Sequence, residues 1–261
     1  MPARTQTAAS ATAPTRRRRA QDAAESPQAR ADNALRWLRE HASKKTRDGL
    51  ARYAIPNENA LGVAMKDIQS LAKELGRDHA LAGALWDAGV YEARLLAAYV
   101  DDPASVTAAQ MDAWCRDFDN WAVCDTLCFV LFDRTAHAWR KVEQWSSRRD
   151  EIQKRAAFAL LASLALHGRL ADDAQYAKGL ALVEREAGDE RNFVRKGVSW
   201  ALRSIGRHAA SHADALALAR RLAASDDASA RWIGKDALRD LAKTRVTAKK
   251  VVASTRRRSA D

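Results

Sequence analysis

The chain has 261 residues, 47% of them hydrophobic, with only 11 Gly and 5 Pro. Average usage would supply about 18 Gly and 13 Pro, so the turn-forming residues that a many-stranded sandwich or barrel requires are scarce and a helical protein is favoured. No run approaches the roughly 18 consecutive apolar residues of a membrane span. Cys115, Cys124 and Cys128, with no Cys-x-x-Cys pair among them, read as the thiols of a reduced, intracellular chain.

The net charge of +11 sits at the two ends. Residues 1–30 hold six Arg against Asp22 and Glu25, and residues 241–261 hold seven Lys and Arg against Asp261, so the ends carry +10 and residues 31–240 carry +1. Residues 1–30 hold almost nothing to bury, and both ends, 1–30 and 243–261, are expected to be disordered basic tails. The first lacks an apolar signal segment, and its two acids argue against a transit peptide. The 31–242 body is long enough for one core and is expected to be a single domain. Polyanions suit the arms, whereas any nucleic-acid surface on the body must be a local patch.

The body reads as helix after helix. Leu35, Leu38 and Ala42 mark a first stripe around Trp37. Val63, Ile68, Leu71, Ala72 and Leu75 mark a second, closed by Gly76. Leu81, Leu85 and Trp86 form a short third helix ended by Gly89, and Ala93, Leu96, Ala97 and Val100 a fourth. Asp101-Asp102-Pro103 breaks the chain, and Thr107 is placed to cap the next helix. Further stripes run through about 119–132, 135–146, 150–167, 172–187, 191–206, 212–224 and 228–242, and none alternates with period two.

Segments 149–165, 189–206 and 227–242 resemble one another. Each opens with acids, places a basic residue early and then runs small and apolar, with Arg155, Arg195 and Arg231 separated by 40 and 36 residues. Periods of that size predict an all-α, HEAT/armadillo-like stack of antiparallel helix pairs, a curved solenoid whose concave face receives the ligand.

Three local features carry chemistry, each with a structural alternative. Trp121 and Asp125 lie four apart, on one helix face, beside the apolar face of Val123, Leu127 and Val130. They can form a cleft wall with an electrostatic group, or a partly buried Trp with an acid supporting the helix start. Lys196, Trp200, Arg203 and Arg207 form a stripe separate from Val194, Val198, Ala201, Leu202 and Ile205. There Trp200 can stack on a sugar or base while the cations hold phosphates, or be covered by Lys and Arg stems. Arg155, among small residues, points into a groove or pairs an acid of the next repeat. The six histidines form no metal-ligand pattern, so neither metal nor cofactor is expected, and Cys124 and Cys128 read as packing residues.

These features, with YAIPNENALGVAM (53–65), LAGALWDAGVYEARLLAAYV (81–100), MDAWCRDFDNWAVCD (111–125), KRAAFALLASLALH (154–167), DERNFVRKGVSWALRSIGR (189–207) and ARWIGKDALRDL (230–241), resemble the DNA alkylation repair family of AlkD-like HEAT-repeat DNA glycosylases. The resemblance spans about residues 45–242. It implies a monofunctional, cofactor-free enzyme that removes N3- or N7-alkylated purines from duplex DNA, without swinging the base into a deep pocket. It places Asp125 as the catalytic carboxylate, Trp121 and Trp200 as the tryptophans facing the lesion's backbone, and Arg155 as the cleft arginine. Lys196, Arg203 and Arg207 would contact DNA. Around Lys45 the chain departs from members that carry an aromatic residue there, and Tyr53 sits several positions later.

The implied chemistry suits these groups. Alkylation makes the purine a cationic leaving group, and bond cleavage develops oxocarbenium character on the sugar, which a fixed carboxylate stabilises by about 10²–10³ in rate. Aromatic faces attract the cationic nucleotide. The expectation is thus a monomeric, cytoplasmic, nucleoid-associated repair enzyme acting on alkylated duplex DNA, with no membrane partner. The alternatives are a HEAT-like binder of damaged or distorted DNA that does no chemistry, and a protein-interaction scaffold.

Overall fold

The computed structural model describes residues 25–243, all of whose regular structure is helical. The arms 1–24 and 244–261 lie outside the described residues. The segment read as the first tail ends earlier than residue 30. Ser26 accepts the Ala29 N–H on its hydroxyl, Pro27 occupies the first turn, and helix α1 spans Pro27–Glu40. Ala31 opens its buried stripe, followed by Ala34, Leu35 and Leu38, which is why the helix reaches back beyond the first leucine.

The chain divides into two compact units. The first holds α1, α2 (Lys44–Gly49), α3 (Met65–Leu75), α4 (His79–Asp87) and α5 (Tyr91–Val100), running to Asp101. Helix α3 ends at Gly76, whose φ of 73° is a left-handed conformation that glycine adopts without strain. The short α2 buries no side chain, so no apolar stripe announces it. The loop before α3 is held from inside. Fully buried Glu92 on α5 accepts the backbone N–H groups of Leu61, Gly62 and Val63 at 2.9, 2.6 and 3.2 Å. Three charge-assisted bonds offset the desolvation of that carboxylate. Gly62 is required there, since a Cβ would lie 2.2 Å from the Ser43 carbonyl oxygen.

The second unit holds the remaining helices, together with the three residues Ala54–Pro56. These helices are α6 (Ala108–Arg116), α7 (Trp121–Val130), α8 (Ala138–Trp145), α9 (Glu151–Leu166), α10 (Asp173–Glu186), α11 (Asn192–Ile205), α12 (His212–Ala223) and α13 (Ala228–Leu241). Thr107 caps α6 as expected, accepting the Gln110 N–H at 3.1 Å. Helices α7, α9, α11 and α13 form one row of successive neighbours, with α8, α10 and α12 packed against α9, α11 and α13. Helix α9 is the centre, and every residue from Arg155 to Ala165 is buried. An apolar helix without a polar face belongs inside a core, and its alanines let α7 and α11 approach. Gly234 of α13 does the same for α12, because a Cβ there would sit 2.2 Å from the Ala223 nitrogen. The thiols of Cys124 and Cys128 are buried in the α7–α9 seam, donating to the carbonyls of Ile152 and Ala156.

Candidate functional site

The row α7–α9–α11–α13 carries the candidate residues. Asn120 caps α7 by accepting the Ala122 and Val123 N–H groups, both at 3.0 Å, which sets Trp121 in the first turn and Asp125 one turn further on. From α9, Arg155 reaches back to that carboxylate. Its Nε and Nη2 donate to the two oxygens of Asp125 at 2.9 and 2.7 Å, and its Nη1 donates to the Phe193 carbonyl of α11 at 2.8 Å. The Arg155 carbon Cζ also lies 6.0 Å from the centroid of the Trp121 ring. A single guanidinium thus joins three helices of the row, in the bidentate geometry that fixes a carboxylate most strongly. The acid that Arg155 pairs on the neighbouring repeat is the candidate catalytic carboxylate itself.

Burial pushes the Asp125 carboxyl above its ordinary value, against the opposing charge and hydrogen bonds of Arg155. The side chain remains 18% exposed, and that opening faces a cavity of about 410 Å³. Lining it with Asp125 and Arg155 are Lys196, Trp200, Arg203 and Arg207 of the expected set, and also Leu166, Ser204, Trp232 and Asp236. Trp121 is joined to this group through Arg155 and does not itself line the cavity.

Trp200 is half-buried and no cation covers its ring among the described residues. It stacks instead on Phe129 of α7, with centroids 6.1 Å apart and planes 18° apart. Phe129 is braced in turn by the edge of His167, centroids 4.4 Å apart, whose Nδ1 is held by fully buried Asp133. The indole orientation is therefore set by packing from behind.

The cations do not act alike. Arg203 lies 3.5 Å from Asp236 and 3.7 Å from Asp240, and Arg207 lies 3.1 Å from Asp240. Lys196 is exposed and has no ion-pair partner among the described residues. Of the stripe read as phosphate-holding, two members are engaged by α13 and one is open. Arg155, Arg195 and Arg231, which mark the repeat, also differ. Arg155 pairs Asp125, Arg195 lies over the Trp232 ring at 4.8 Å, and Arg231 donates to the Ser225 and Asp226 carbonyls.

Trp232 and Asp236 lie outside the set that the sequence patterns single out, although the sequence carries a signal for them. They repeat on α13 the four-residue Trp-to-Asp spacing of Trp121 and Asp125 on α7. Asp236 accepts the Ser199 hydroxyl at 2.6 Å and Arg239 at 3.0 Å, which hold its carboxyl below the ordinary value against the opposing effect of burial. Among the described residues no group of three or more His, Cys, Asp or Glu could hold a metal ion, and no helix is long and apolar enough to cross a membrane.

Comparison with known proteins agrees with this arrangement of helices. A solved structure described as "A new family of proteins related to the HEAT-like repeat DNA glycosylases with affinity for branched DNA structures" superposes with a TM-score of 0.68 at 16% identity, covering 83% of this chain and 97% of the other. At that identity the likeness establishes the HEAT-like repeat fold. No curated protein matches the chain. The family described as DNA alkylation repair enzyme matches residues 34–245, from within α1 to beyond α13, and the chain belongs to that family.

Proposed function

We propose that the protein is a monofunctional DNA glycosylase hydrolysing the N-glycosidic bond of cationic N3- or N7-alkylated purines in duplex DNA. The observation that carries this reading is Asp125: a carboxylate fixed through both oxygens by Arg155, yet open to a cavity shared with Trp200 and unpaired Lys196. A fixed negative charge of this kind needs no reorganisation when positive charge develops on the sugar. In the proposal Asp125 stabilises that charge and orients water, Trp200 faces the cationic nucleotide, Trp121 braces Arg155 beside the cavity, and Lys196 holds a phosphate. Arg155 keeps Asp125 aimed and limits its cost in the free protein. The enzyme acts as a monomer at the nucleoid.

A second reading has one observation in its favour. Arg155 takes both oxygens of Asp125, which reduces the net charge available to a transition state and is what a purely structural pair would do. That reading is a DNA binder without chemistry, the solved neighbour being described by its affinity for branched DNA. Incubation with duplex containing one 7-methylguanine, then alkali cleavage, separates the two. Strand cleavage at the lesion supports the glycosylase, and intact strands despite tight binding support the binder.

A further inference from the structure

The cavity has a second indole whose surroundings differ from those of the first. Trp200 is backed by a neutral ring, Phe129, whereas Trp232 is backed by the guanidinium of Arg195. That guanidinium has no carboxylate partner among the described residues, and its buried Nε makes no hydrogen bond. Among the described residues its charge meets the Trp232 ring and no carboxylate. Trp232 is half-buried, lines the cavity, and neither its indole N–H nor that of Trp200 has a partner among the described residues.

A ring with a cation on one face has its π density drawn toward that face, so its other face is a poor seat for a second cation. It is a good seat for a neutral, electron-rich aromatic. Nucleobases are of that kind, but paired bases in a duplex have both faces covered by their neighbours. Only a base already out of the stack can lie on Trp232. The volume of about 410 Å³ falls within the range of sites for small ligands, and Arg195 with open Lys196 supplies positive charge for the adjoining backbone.

We infer that Trp232, backed by Arg195, is a stacking platform for an unpaired, uncharged nucleobase, so that the cavity reads DNA in which a base has left the helix. This rests on the DNA-binding reading above and adds to it a class of substrate: lesions or junctions carrying an unpaired nucleotide. The cationic lesion itself belongs to Trp200, and the two indoles divide the work by the charge of what lies behind them.

The test compares a fully paired duplex with the same duplex carrying one unpaired 2-aminopurine, using the full chain. The parent is expected to bind the bulged duplex about tenfold or more tightly. Trp232→Leu is expected to bring that preference to near unity, and Trp232→Phe to keep part of it. Stacking on the indole should also make bound 2-aminopurine dimmer in the parent than in Trp232→Leu. Should Trp232→Leu not fold, the graded response of Trp232→Phe and the parent's emission still decide. Binding of both duplexes with equal affinity, or a preference that survives in Trp232→Leu, would overturn the platform while leaving the DNA reading intact. Failure to bind either duplex would overturn both.

Discussion

Asp125 and Arg155 meet through two hydrogen bonds across the α7–α9 seam, and the same arginine continues to the α11 backbone. The pair is thus a structural joint and a candidate catalytic device at once, and the two roles predict different things. Asp125→Asn keeps the shape and one acceptor. If the carboxylate acts on the transition state, single-turnover excision of 7-methylguanine should fall about 10²-fold or more, with duplex affinity equal or higher. A purely structural role predicts only lower stability, about 1–3 kcal/mol by urea unfolding. Unchanged excision by folded Asp125→Asn would refute the mechanism.

Acid should inactivate at a pH higher than an ordinary aspartate implies. In the proposed mechanism excision needs ionised Asp125, and burial raises its carboxyl despite Arg155. The acid limb of the single-turnover rate is therefore expected above the usual carboxylate value, and higher still in Arg155→Met, which removes the opposing charge. The sign for stability is the reverse of the common case. A raised carboxyl means that the folded state binds the proton more readily than the unfolded chain, so this group's contribution declines as pH rises from its ordinary value through its folded value. An acid limb at or below the ordinary value would show that Asp125 is not the titrating group.

Salt dependence should single out Lys196 from its neighbours. Each phosphate contact contributes about 0.9 to the slope of log affinity against log salt. Lys196→Ala should lower the slope by about that amount. Arg207→Ala should change it less, because Arg207 is already paired with Asp240. Conversely, Asp240→Asn should release the guanidinium and raise duplex affinity. Equal slope changes for Lys196→Ala and Arg207→Ala, in filter-binding titrations over a salt series, would show that the pairs with α13 open when DNA binds.

A separate network predicts acid lability. Asp189, between α10 and α11, is held by Arg191 at 2.9 and 2.5 Å and by Lys154 at 3.2 Å. The Arg191 hydrogen bonds above all lower its carboxyl to about 2. The stabilisation is full above the ordinary aspartate value and lost as pH falls toward about 2. Urea midpoints of the parent should therefore drop more steeply over that interval than those of Asp189→Asn. Parallel profiles would assign the acid sensitivity elsewhere.

Most of the fold was legible because its signals are local. The Leu81–Trp86 and Val194–Ile205 stripes, the Thr107 cap and Gly76 each act within a turn or two of themselves, and each helix they announce is present. What escaped notice depends on partners far along the chain. Helix α2 has no buried stripe of its own. The loop of Leu61–Val63 is organised by Glu92, some thirty residues on. The candidate site divides in the same way. Spacing brought forward Trp121, Asp125 and Trp200, and resemblance gave them roles. That Arg203 and Arg207 are engaged by α13, and that Trp232 shares their cavity, follows from how α11 and α13 pack, which no single stripe encodes.

The row of helices has a consequence for how the cavity fails. In a stack whose elements contact chiefly their neighbours, stability is a sum of adjacent interfaces, and the terminal pair is the first to fray. Here the last described pair is α12–α13, which supplies Trp232 and Asp236, whereas Arg155, which holds Asp125, lies on the buried central helix α9. Warming should therefore strip one side of the cavity while the carboxylate keeps its aim. On the proposed function, discrimination among DNA forms should then be lost at a lower temperature than excision, so that the protein becomes indiscriminate before it becomes inert.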